Sequence, residues 1–134
     1  MLLTRQELGE AAARQILDGA RAKAADMGVP QCIAVVDRGG RLLAFCRMDG
    51  AKFHSTDSAM AKAVTAASIK APTGAAPNEF AVQLGLAAQG KFTNLLGGLP
   101  VVVDGDTVGA IGVGSGKPDE DVAVAEAGIA ALGV

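Results

Sequence analysis

Cys32-Ile33-Ala34-Val35-Val36-Asp37-Arg38-Gly39-Gly40-Arg41-Leu42-Leu43-Ala44-Phe45-Cys46 decides the fold class. Two apolar runs, 32–36 and 42–46, flank a stretch of turn chemistry in which glycine reaches positive φ without penalty. This reads as an antiparallel hairpin, with Arg47-Met48-Asp49-Gly50 as its exit loop. A second hairpin follows the same logic: Val101-Val102-Val103, a turn at Asp104-Gly105-Asp106, and a strand from Thr107 to Val113. Parallel strands need a crossover between them, whereas hairpins pair directly. The order α-β-β-α-α-β-β-α therefore predicts an antiparallel sheet flanked by helices, an α+β fold in one domain spanning 1–134.

The helices are signed by their ends. Thr4 and Glu7 have capping-box spacing, and Leu3 with Leu8 fits a hydrophobic staple. Apolar positions recur at Leu8, Ala11, Ala12 and Ile16, and Gly28 and Pro30 stop the pattern, which predicts a helix over 5–27. Ser55 or Thr56 is placed to cap an alanine-rich helix over 56–70 that ends before Pro72. A third helix is expected over 78–88, and a fourth from Pro118 to Leu132.

Aromatic residues make up 3% of the 134 residues, with no Trp and no Tyr, so the core must come from Ala, Val, Leu and Ile. So little large side-chain volume makes association with further copies an expected way to bury apolar surface. Twelve basic and 14 acidic residues are scattered without a basic run, which argues against a nucleic-acid partner. The N-terminal stretch turns polar too soon for a signal peptide, and no run approaches the roughly 18 apolar residues of a membrane helix. The cytoplasm is the expected compartment. Cys32 and Cys46 sit on paired strands and are expected to be buried thiols rather than a bridge.

Four blocks resemble the GlcG/HbpS family of haem-binding and haem-degrading-type domains, also related to the C-terminal domain of PduO-type corrinoid adenosyltransferases. They are Val35-Val36-Asp37-Arg38-Gly39-Gly40 with Arg47-Met48-Asp49-Gly50-Ala51, then Ala59-x-x-Lys62-Ala63-x-Thr65-Ala66, Gly97-Gly98-Leu99-Pro100, and Gly109-Ala110-Ile111-Gly112-Val113. The resemblance implies a profilin-like sandwich, an antiparallel sheet of about five strands with helices on both faces. Four strands are legible, so a fifth is expected between Phe92 and Pro100. It also implies a homo-oligomer and a small-molecule ligand, with haem or another tetrapyrrole first among candidates.

Chemistry-bearing residues carry more than one reading each. His54, the only histidine, is a candidate haem-iron ligand or proton carrier at the mouth of the alanine-rich helix, or else a surface residue. Lys62 is a base or Schiff-base former if burial lowers its pKa, the partner of a carboxylate such as Asp49 or a ligand acid, or a lysine that extends its charge to water. Arg47 and Asp49 are ligand-binding candidates on the exit loop, where an arginine can clamp a carboxylate, or a pair that braces the turn. Thr65 lies one turn after Lys62 and faces a ligand or back-bonds to its own helix. Gly97 and Gly98 offer bare backbone to a ligand or serve a turn. Gly112 to Lys117 fails as a phosphate loop, since Pro118 stands where Ser or Thr is needed and Asp119, Glu120 and Asp121 repel a phosphate.

Three functions remain open from sequence: a small-molecule-binding protein of GlcG/HbpS type, a catabolic enzyme acting on a small carboxylated metabolite, or a structural or regulatory subunit whose apolar helix faces form an interface. In the second, Lys62 or His54 is acid or base for proton transfer or lyase chemistry, and Arg47 holds the carboxylate.

Overall fold

The computed structural model describes residues 1–134. Helix α1 (Glu10–Met27) is followed by strands β1 (Cys32–Asp37) and β2 (Leu42–Arg47), then helices α2 (His54–Ile69) and α3 (Asn78–Ala87). Strands β3 (Gly98–Val103) and β4 (Asp106–Gly114) and helix α4 (Pro118–Leu132) complete the chain. The strands form one antiparallel sheet in the order β2-β1-β4-β3, so β1 and β4, the first strand of one hairpin and the last of the other, meet in the middle.

The sheet has four strands, not five. Gly98-Leu99-Pro100 lengthens β3 instead of starting another strand. The segment before it is held irregular by side chains that take its backbone groups. The Thr93 N–H donates to Thr65 Oγ1, the Leu95 N–H donates to Thr93 Oγ1, and Thr73 Oγ1 donates to the Leu95 carbonyl. Backbone groups already satisfied in this way have no need of a neighbouring strand.

The two faces of the sheet differ sharply. Ile33, Val35, Ile111 and Val113 pack against Ile16 and Ala20 of α1 and Val124 and Ala125 of α4. On the opposite face Cys32, Ala34, Val36 and Ala110 meet the buried alanines of α2, Ala59, Ala63, Ala66 and Ala67, with Met60 and Val64 at the margin. Backbone there approaches backbone: a Cβ added to Gly112 would lie 2.0 Å from the Ala59 carbonyl oxygen, and one on Gly98 would lie 2.4 Å from that of Lys62. Those two glycines are cross-strand partners. The glycine pair thus creates the seat on which the alanine face of α2 rests.

Three sequence expectations at helix starts are corrected. α1 begins at Glu10 behind a Gly9 N-cap, without the Thr4–Glu7 capping box or the Leu3–Leu8 staple. The Leu8 N–H donates to the Val108 carbonyl at 2.9 Å while its side chain enters the core, and this pairing keeps residue 8 out of the helix. α2 begins at His54, with Phe53 as N-cap, so neither Ser55 nor Thr56 caps it. α1 does end at a left-handed Gly28, as the sequence indicates.

Cys32 and Cys46 are free thiols. Cys46 pairs with Ile33 and shares its side of the sheet, whereas Cys32 belongs to the α2 side, so the sheet lies between the two sulfurs.

Candidate functional site

α2 carries Lys62 on the face that also presents Ala59, Ala63 and Ala66, and the lysine is only 4% exposed. The glycine seat lets its stem cross the end of the sheet. Its ammonium donates to the Val113 carbonyl at 2.6 Å and to Asp121 Oδ2 at 3.1 Å. Asp121, 3% exposed, comes from the first turn of α4, on the other layer. Lys62 and Asp121 therefore clamp the two helical layers together at the end of β4.

The carboxylate is held by three donors. Besides Lys62, the Gly116 N–H reaches Asp121 Oδ1 at 3.0 Å, and the Gln31 amide, with its nitrogen turned toward the carboxylate, reaches the same oxygen at 2.8 Å and the Gly114 carbonyl at 2.7 Å. Burial pushes the Asp121 carboxyl up from its ordinary value, and the Lys62 charge and hydrogen bond oppose that rise.

Gly97 completes this arrangement. At φ 120° it occupies a backbone region that favours glycine, and a Cβ there would stand 2.6 Å from the Val113 carbonyl oxygen and 3.2 Å from Lys62 Nζ. A cleft of about 220 Å³ opens over the pair, bordered by Lys52, Ser55, Ser58, Lys62, Ser115, Gly116 and Asp121, with Leu95 and Leu96 as an apolar wall.

A second, larger concavity of about 820 Å³ lies on the α2 side, between the β1–β2 turn, α2 and the segment after α3. Leu42, Met60, Ala61 and Val64 form its apolar part, with Arg41, Lys91, Asp57 and Gln89 around them. Its size falls within the roughly 300–1,000 Å³ of small-molecule sites.

The structure brings Lys62, Gly97 and Gly98 to one place. Thr65 is close in sequence but engaged elsewhere: its hydroxyl donates to the Ala61 carbonyl and accepts from Thr93, tying α2 to the irregular segment. His54 is exposed at the start of α2, its ring stacked on Phe53 with centroids 4.7 Å apart. Arg47 and Asp49 are exposed and border neither concavity; the exit loop reaches the smaller cleft through Lys52 instead, whose N–H donates to Ser115 Oγ at 2.9 Å. No group of three or more His, Cys, Asp or Glu side chains is placed to hold a metal ion.

Sequence reading missed Asp121, Gln31 and the three serines as site residues. A signal for Asp121 existed: it falls on the buried stripe of α4 with Val124, Ala125 and Gly128, and a carboxylate on an apolar helix face calls for a buried cation. Nothing in the local pattern marks Gln31 or Ser115.

This geometry defines a small α+β protein with a four-stranded antiparallel sheet, a buried ion pair joining its layers, a cleft over that pair and a concavity of small-molecule size. The chain belongs to the HbpS-like family: residues 8–130 match the model described as "Haem degrading protein HbpS-like". It is 36% identical over 121 residues to an uncharacterized 15.0 kDa protein of the dhaT-dhaS intergenic region of Citrobacter freundii, covering 87% of this chain and 85% of that one. The crystal structure of Klebsiella pneumoniae protein ORFY superposes with a TM-score of 0.89 at 30% identity, over 99% of this chain and 95% of that chain. That of a PduOC:heme complex superposes with a TM-score of 0.83 at 29% identity, over 93% and 94%. No helix is long and apolar enough to cross a membrane.

Proposed function

We propose that this protein binds a tetrapyrrole, haem being the first ligand to test, as a cytoplasmic homo-oligomer of profilin-like fold. The observation that carries the reading is the likeness to the PduOC:heme complex, together with the 820 Å³ concavity. The residues present fit such a ligand. An apolar floor suits the macrocycle, and Arg41 and Lys91 offer two cations for its carboxylates. Two side chains qualify as axial donors: the Met60 thioether in the concavity, and the His54 imidazole, which stands one turn before Asp57 on α2. A bound haem would supply redox-active iron; the chain itself supplies the hydrophobic seat, the cations and one axial donor.

Association with further copies is supported by α3, which rests on the body mainly through Ala81 and leaves Phe80, Val82 and Leu86 exposed.

Titration with haemin tests the reading. A saturable Soret band at one equivalent per chain, weakened by Arg41→Glu with Lys91→Glu, is the expected result. Its coordination should change in either His54→Ala or Met60→Leu, which identifies the axial donor. Absorbance that rises without saturation, and equally in the charge-reversed variant, would remove the tetrapyrrole from consideration.

The alternative enzyme reading rests on Lys62, whose ammonium lines the smaller cleft. It predicts turnover of a small carboxylated substrate that is abolished in Lys62→Met.

A further inference from the structure

The smaller cleft shows an imbalance of hydrogen-bonding groups. Ser55 is 7% exposed, and neither its hydroxyl nor that of Ser58 has a protein partner. No buried polar side-chain atom in the molecule is left unsatisfied, so the Ser55 oxygen must open onto the cleft it lines. Ser115 Oγ accepts from the Lys52 N–H, which leaves its O–H free to donate. Lys62 spends two of its three N–H groups on Val113 and Asp121 and has one left. The acceptor side is depleted, because the Asp121 carboxylate is engaged by Lys62, Gly116 and Gln31.

Charge follows the same direction. Lys52 and Lys62 border the cleft with Asp121 as the one carboxylate among its lining residues, a local excess of one positive charge. Ser115 is held at φ 94°, a conformation that favours glycine, yet a hydroxyl-bearing residue stands there. Leu95 and Leu96 form the opposite, apolar wall.

We infer that this cleft binds a small monocarboxylate, its oxygens taken by the Ser55, Ser58 and Ser115 hydroxyls and the spare Lys62 N–H, and its carbon chain laid against Leu95 and Leu96. A volume of about 220 Å³ accommodates an acid of a few carbons and excludes a tetrapyrrole. A phosphate dianion is disfavoured by the single excess charge and by Asp119 and Glu120 in the adjoining turn of α4. The site is separate from the 820 Å³ concavity, with which it shares no lining residue.

The test uses the full chain, with acetate, L-lactate and inorganic phosphate as probes at constant ionic strength. Backbone amide resonances of Lys52, Ser115 and Gly116 should shift saturably with acetate or lactate. The affinity should fall at least tenfold in Ser58→Ala/Ser115→Ala, whose folding is verified by its remaining amide spectrum, and Ser55→Ala alone should also weaken it. Linear, non-saturating shifts, equal shifts in the serine variants, or tighter binding of phosphate than of either carboxylate would each overturn the assignment. Haemin binding is measured separately on the same variants, so failure here leaves the tetrapyrrole reading untouched, and the converse holds.

Discussion

Replacing Lys62 by Met keeps most of the stem volume and removes the ammonium. The lysine and its partner have side chains only 5% and 4% exposed, so the Asp121 carboxylate would be left buried with no cation, and the Val113 carbonyl with no donor. Breaking a buried pair from one side costs about 3–5 kcal/mol. That is a large part of the roughly 5–15 kcal/mol by which domains of this kind are stable. Asp121→Asn in the same chain removes the uncompensated charge and retains an oxygen for the Gly116 N–H, so Lys62→Met/Asp121→Asn should regain about 2 kcal/mol relative to Lys62→Met alone. A pH signature accompanies this. Burial already raises the folded-state pKa of Asp121, and Lys62 supplies the largest opposing influence; without it the carboxyl rises further. A carboxyl raised on folding stabilises fully below its unfolded value near 3.8, and that contribution is lost as pH climbs through the folded value. Lys62→Met should therefore be least impaired near pH 4.5 and most impaired near pH 7.5, a trend absent from the double variant. Urea unfolding at both pH values measures each term. A single variant that loses less than about 1 kcal/mol, or a double variant no more stable than the single, would refute the claim that the pair holds the two layers together.

Gly112→Ala directs a Cβ into the Ala59 carbonyl oxygen, a backbone atom that moves only with α2, so urea unfolding should show a loss of about 3 kcal/mol or more; a near-neutral result would mean that the helix seat is looser than described. Burial pushes both the Cys32 and Cys46 thiols up, so neither should react rapidly with a disulfide reagent at pH 7.5, and mild oxidation should yield no intramolecular bridge, as mass measurement can verify. Phe80→Asp with Leu86→Glu on α3 should lower the mass seen by light scattering while leaving the circular dichroism unchanged; an unaltered mass would exclude α3 from any subunit contact. The Arg38 guanidinium holds the Asp106 carboxyl below its ordinary value. That contribution is present above the unfolded pKa and lost as pH falls through the folded one, so Asp106→Asn should flatten the acid limb of the stability profile below about pH 4.

The hairpins and the four helices were legible in the chain because their signals are local: turn glycines between apolar runs, Gly28 and Pro30 at a helix end, Pro118 at a helix start. The same local logic misplaced the first helix start, because Leu8 pairs with Val108, a hundred residues away, and no capping pattern encodes that. It also suggested a fifth strand where Thr65, Thr73 and Thr93 take up backbone groups that a strand would have offered.

Sequence by itself determined the α+β class, the small-residue core and the family resemblance, since each follows from composition and short-range pattern. Only the tertiary structure decided which residues meet. Lys62, Gly97, Ser115 and Asp121 come from four separate segments, and their encounter depends on how closely α2 settles onto Gly98 and Gly112. That closeness comes from the absence of side chains on two neighbouring strands, which acquires meaning only when the strands are paired.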